Sequence, residues 1–179
     1  KGITTVTTTT GTGAIANTGV SGLLTIATLS GNNGTISGGA GGVTFTNAAT
    51  NSGNITGGSG LVTFSNTLAH STGTITSGSG GITFAGVPTF ASGTITSGTG
   101  LLNFNANVAN SGTAVLSLTG TATAEFSGTL STTGLSFAGG STVTYDGVSA
   151  GQVIADVGYG NLTLKNSTKA WTLGAARAV

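Results

Sequence analysis

A glycosidase needs two carboxylates on one face, one to pass a proton and one to attack or to activate water. This chain of 179 residues offers three acidic side chains for such a pair: Glu125, Asp146 and Asp156. All three lie outside the most regular stretch of the sequence, and no spacing aligns them. The single histidine, His70, follows Leu68 in a variable segment and reads as a solvated corner residue, not as a general base or a metal ligand. Serine is plentiful, yet no serine, histidine and acid can be singled out as a nucleophilic triad. The expectation is a chain without catalytic residues, not an enzyme.

Ligand-binding motifs fare no better. The glycine-rich "GGSG" at 57–60 lacks the strand-to-helix context and the lysine of a phosphate loop. "GGAGGV" at 38–43 and "GGSGLV" at 57–62 approach the calcium-binding pattern G-G-x-G-x-D, but Val43 and Val62 stand where the carboxylate is required. There is no cysteine, so thiolate sites and disulfides are excluded. No metal and no cofactor are expected. Between Gly2 and Ala124 there is no Lys, Arg, Asp or Glu, which argues against a nucleic-acid partner. No apolar run is long enough for a membrane helix. Asn33, Asn54, Asn161 and Asn166 open N-x-[ST] triplets, which so much Ser and Thr produces by chance.

One polar pattern does repeat. Thr35 and Ser37, Asn54 and Thr56, Thr74 and Thr76, Thr94 and Thr96 form a T-x-T array, and Thr25, Thr44, Thr63, Thr83 and Asn103 form a further row. The first set is a candidate surface-binding face, because flat T-x-T arrays resemble the ice-binding face of antifreeze solenoids. Thr also has high strand propensity, so an uncharged sheet fills outward positions with it in any case.

These rows need a scaffold that returns to the same place at a fixed interval. "GTISGGAGGVTF", "GNITGGSGLVTF", "GTITSGSGGITF" and "GTITSGTGLLNF" supply it. Ile26, Phe45, Phe64, Phe84 and Phe104 recur every 19–20 residues, as do Ile36, Ile55, Ile75 and Ile95, with nine residues from each Ile to its Phe. Extra residues enter only after the Phe. A period near twenty marks a solenoid, and period-two alternation in "TIT" and "VTF" marks strands. The expected fold is an all-β, single-stranded parallel β-solenoid (β-helix) of about 19–20 residues per coil, with Ile above Ile and Phe above Phe about 4.8 Å apart. A third, looser inward row is assigned to Ala49, Leu68, Val87 and Val108. Pro88, lacking an N–H, is placed in a variable corner.

The expected organisation is an N-terminal strand or cap over residues 1–12, which is also a candidate inter-subunit segment. Regular coils follow over 13–126, and less regular, wider coils of the same stack over 127–179. In the last part Val143, Tyr145, Val153, Ile154, Leu162 and Leu164 are the expected core. The Gly/Asn/Thr/Ser-rich coils resemble the filamentous-haemagglutinin-like β-helices of bacterial adhesins and autotransporter passengers. "GGSTVTYDG" and "YGNLTL" are similar to a segment of large bacterial surface proteins, through Gly140, Val143, Tyr145, Gly147, Tyr159, Asn161, Leu162 and Leu164. That resemblance implies a right-handed β-helix at the cell surface or secreted, in a structural or adhesive role.

The functional expectation is an extracellular structural protein whose partner is itself, joined end to end or by exchange of a terminal strand. "KGITTVTTTT" is strand-like and "LGAARAV" supplies no helical cap, so both ends read as open templates. Two alternatives stand beside it: an adhesin stalk segment that binds a surface glycan or a host surface, and an ice-binding protein that uses the T-x-T face.

Overall fold

The structure is a computed structural model that describes residues 4–17, 21–110, 112–130, 135–138, 140–147, 152–155, 157–165 and 172–173. All regular elements among them are strands, and their pairings are parallel, in a β-solenoid of about seven turns. Parallel strands without helical crossovers require the chain to return once per turn, which a period near twenty allows.

Each regular turn has three short strands. Ile36, Ile55, Ile75 and Ile95 are the central residues of one wall, in Thr35–Ser37, Asn54–Thr56, Thr74–Ser77 and Thr94–Ser97. These belong to a seven-stranded sheet that runs from Ala14–Ala16 to Leu135–Phe137. The second wall holds Val43–Phe45, Val62–Phe64, Ile82–Phe84 and Leu102–Phe104. The third holds Ala49–Asn51, Leu68–His70 and Pro88–Phe90. The longer strand Leu24–Asn32 pairs with both Val43–Phe45 and Ala49–Asn51, and so joins the second and third walls into one 13-stranded sheet. Thr4–Gly11 lies along it on the other side.

The core consists of rows, one residue per turn. Ile36, Ile55, Ile75 and Ile95 are fully buried, as are Ile26, Phe45, Phe64, Phe84 and Phe104. Successive rings from Phe45 to Phe104 have centroids 4.7–5.2 Å apart and lie within 8° of parallel. Contacting planes are about 3.5–4 Å apart, so the rings must be offset along their planes, the arrangement their quadrupoles favour. The backbone ladder thus sets a spacing that the side chains also prefer.

The third wall corrects the sequence reading. Its inward row runs Leu29, Ala49, Leu68, Pro88, and Val108 bridges on to Leu130. Val87 is not in it and is 40% exposed. Pro88 is not in a corner either: it opens the strand Pro88–Phe90, a position at which a missing N–H is tolerated. Added length enters after this wall, not directly after the Phe. Asn51 to Ile55 is four residues, whereas His70 to Ile75 and Phe90 to Ile95 are five. The longer corners hold Gly73 and Gly93 at φ +80° and +89°, a conformation other residues rarely adopt, while Gly53 in the shorter corner has no positive φ.

The rows continue where the phrase fades. Phe104 pairs with Phe126, then Tyr145, then Leu164. Val143 and Tyr145 are fully buried and Ile154 is buried, as expected, but Val153 is only half-buried. Leu162 and Leu164 depart from expectation at 41% and 42% exposed; among the described strands, Asn161–Leu164 pairs only with Thr142–Tyr145. No helix among the described residues is long and apolar enough to cross a membrane, which says nothing of β-barrels.

Candidate functional site

The Thr array is assembled by the Ile wall. Alternation along each strand puts Ile inward and its two neighbours outward. Parallel pairing in register then makes two rows: Thr35, Asn54, Thr74, Thr94 and Ser37, Thr56, Thr76, Thr96. The six predicted threonines, Thr35, Thr56, Thr74, Thr76, Thr94 and Thr96, therefore share one outer face. Thr74 donates both its N–H and its Oγ1–H to Asn54 Oδ1, each at 3.0 Å. A side chain here takes a place that a backbone carbonyl takes elsewhere, so Asn54 interrupts the array chemically as well as in outline. The flanking Ala14 and Ala16 and then Val115 and Ser117 carry the face on without a charge.

A second outward row runs Thr5, Thr25, Thr44, Thr63, Thr83, Asn103, Glu125, Thr144 and Thr163. This places Glu125 in register with the repeat, contrary to the expectation that it lies outside the aligned coils. The cause is that Phe126 keeps the ring row despite a spacing of 22 from Phe104. Lys165 Nζ donates to Glu125 Oε1 at 3.0 Å, and Ser127 Oγ donates to Asp146 Oδ1 at 2.9 Å. Glu125, by hydrogen bond and charge, raises the Lys165 pKa, with a further contribution from Asp146. Two of the three acids thus flank one lysine on an exposed face, each committed to a partner from its own surface. Asp156 lies outside the described residues. No group of three or more His, Cys, Asp or Glu side chains able to hold a metal occurs among the described residues.

His70 is the largest departure from the sequence reading. It is the last residue of Leu68–His70 and is 1% exposed, not solvated. The third wall starts four residues after the ring row, so a residue six after it, as Asn51, His70 and Phe90 are, points inward. Asn32 Nδ2 donates to Asn51 Oδ1 at 2.7 Å, and Asn51 Nδ2 donates to Gly53 O at 2.9 Å and faces His70 Nδ1 at 3.0 Å. On the other side of His70 sits Phe90, edge to face at 6.3 Å. His70 Nε2 is buried with no hydrogen-bond partner. Desolvation pushes the histidine below its ordinary pKa, against smaller opposing contributions from backbone groups at Gly73 and Asn51. The signal in the sequence was the constant offset from Phe, read from Asn51 through His70 to Phe90.

A third polar cluster closes the later turns. Gln152, buried, donates from Nε2 to Phe126 O and Gly128 O and accepts the Gly147 N–H. Tyr145 Oη lies 2.9 Å from Tyr159 Oη and accepts the Ala155 N–H, and Tyr159 Oη donates to Ala155 O. These groups satisfy backbone where the turns are irregular, which is structural chemistry. The arrangement defines the chain as a β-solenoid whose regular turns carry no charged side chain. No family model, curated protein or solved structure matches the chain.

Proposed function

We propose that the chain is a non-enzymatic structural protein of the bacterial cell exterior, whose rods join end to end into surface or matrix fibres. One observation carries this reading. The two apolar rows sealed throughout the regular turns surface at Asn161–Leu164, where Leu162 and Leu164 are about two-fifths exposed, while their row neighbours Val143 and Tyr145 are fully buried. Among the described strands, Asn161–Leu164 and Thr4–Gly11 each pair on one side only. A parallel strand from a second copy laid on Asn161–Leu164 would cover both leucines and pair along the edge that meets no other described strand. Such a contact joins unlike ends, so it propagates into a filament and does not close a dimer. The scarcity of charge removes the repulsion that keeps most rods apart.

Electron microscopy of the purified chain at micromolar concentration, with light scattering on the same sample, tests this. Long uniform filaments are the expected result. Discrete rods of constant mass across the concentration range overturn it. In that event a second reading gains weight from the in-register Thr rows: the uncharged outer face of the Ile wall would serve as an ice-binding surface, measured directly as thermal hysteresis.

A further inference from the structure

We propose that His70 is an acid-sensitive joint in the middle of the solenoid, where uptake of a proton breaks the Asn32–Asn51–His70 ladder and opens the third wall locally while the ring stack stays closed. The direction of the ladder is fixed by its own bonds. Asn51 Oδ1 accepts from Asn32 Nδ2 and from the Gly53 N–H, and Asn51 Nδ2 donates to Gly53 O. Reversing that amide would set donor against donor at Asn32 and at Gly53. Asn51 therefore presents an N–H to His70 Nδ1, which accepts, and the neutral ring carries its proton on Nε2.

Protonation adds a hydrogen to Nδ1, where the Asn51 N–H already points. Two donors then face each other in a site closed to water, and the ladder has no alternative pairing that satisfies both. The new charge also has no counter-ion among the elements packed around it. Its own strand Leu68–His70, the neighbours Ala49–Asn51 and Pro88–Phe90, the ring wall Val62–Phe64 and Ile82–Phe84, and the Ile wall Thr74–Ser77 and Thr94–Ser97 contain no other titratable side chain. No Asp, Glu, Lys or Arg occurs anywhere from Gly2 to Ala124. The Gly93 backbone closes on the other edge of the ring, so near that a Cβ added there would lie 2.8 Å from Nε2. A buried imidazolium without a counter-ion leaves the charged form to the opened state.

Folding thus favours the neutral ring, while the unfolded chain takes up its proton near pH 6.5. Below that pH the unfolded or opened state binds more protons, and stability falls as pH falls until the folded value is passed. His70 is the single histidine, the one side-chain type whose ordinary charge change falls between pH 5.0 and 7.5, so that window reads it. Ser71 and Ala91, whose N–H groups are given to Asn51 O and His70 O, report on the joint. Ser65 and Ala85, bonded to Phe45 O and Phe64 O, report on the ring wall.

The experiment combines thermal melts, amide exchange and the ring titration by NMR, on the wild type and on His70→Asn, which extends the Asn ladder without titrating. In the wild type the melting temperature should drop on going from pH 7.5 to 5.0, by roughly 3–5 °C for each pKa unit of depression. Protection at Ser71 and Ala91 should fall more than at Ser65 and Ala85, and the loss should vanish in the variant. An equal loss in His70→Asn, or equal loss at all four amides, overturns the proposal. If the variant does not fold, the wild-type ring decides alone: titration at the ordinary value near 6.5 in the folded protein overturns it, and a lower one supports it. Fibre assembly does not enter, since both proteins carry the same ends.

Discussion

The turns over residues 24–104 and those over residues 114–165 reach the same ladder by different means. In the first, the Ile wall and the ring wall repeat their side chains from turn to turn, and like residues stack: Ile on Ile, Phe on Phe, Thr on Thr. In the second, the phrase is gone, yet Phe104 and Phe126 are 4.8 Å apart and 6° from parallel across a gap of 22 residues. Register is therefore held by the inward row and the backbone ladder, not by the wording between them. What the irregular turns lose is automatic satisfaction of their backbone. Side chains make up for it: Gln152 reaches back by more than twenty residues, and the Tyr145 and Tyr159 hydroxyls close around Ala155. The regular turns bury polar side chains too, Ser77 and Ser97 in one row and the Asn ladder that ends at His70 in another.

The sharpest way to break this contrast is at the ring stack. Phe84 lies between Phe64 and Phe104 and meets Phe90 edge-on at 5.7 Å. Phe84→Ala should cost about 3–5 kcal/mol, because neighbours tied to a ladder on both sides cannot collapse into the void. Urea unfolding would read this as a lower midpoint. A loss below about 1 kcal/mol would mean that the turns are held by backbone pairing with little help from the rows.

Gln152→Ala comes next and tests the other region. It orphans the Gly147 N–H and the carbonyls of Phe126 and Gly128, at about 1–3 kcal/mol for a buried group left unpaired. Amide exchange should show the loss confined to the turns around residues 126–147. If protection there is unchanged, water replaces the side chain and the irregular turns are looser than their hydrogen bonds suggest.

Much of this was legible in the sequence, for a physical reason. An inward row must present a similar volume at every turn, so Ile and Phe at constant intervals declare two walls directly. The outward threonines follow from the same alternation. The third wall was misread because its row tolerates Leu, Ala, Leu, Pro and Val in succession, and no single residue type marks it. Only the fixed step of four from the ring row, Phe64 to Leu68, Phe84 to Pro88, Phe104 to Val108 and Phe126 to Leu130, identifies it. The same step places His70 inside, while Glu125 enters the Thr row because Phe126 keeps its place in the ring row. Hydrogen bonds such as those of Gln152 were out of reach, since they depend on how an irregular corner folds back across the stack.

The smallest effect should come from the charges, although they are the most visible feature of the later turns. Lys165 reaches past the rung of Thr144 to Glu125, a pair with side chains 53% and 26% exposed. Water and salt screen such a pair, and ordering a long lysine side chain offsets much of the attraction. Glu125→Gln should leave the urea midpoint close to that of the wild type, and raising the salt concentration should not reduce the difference further. Gln still offers an oxygen to Lys165, so the substitution removes charge while keeping shape. If the midpoint nevertheless fell as far as in Gln152→Ala, and salt weakened the wild type to match, the later turns would be held by surface charge. They would then differ from the regular turns in the kind of force that closes them, and not only in which groups pair with the backbone.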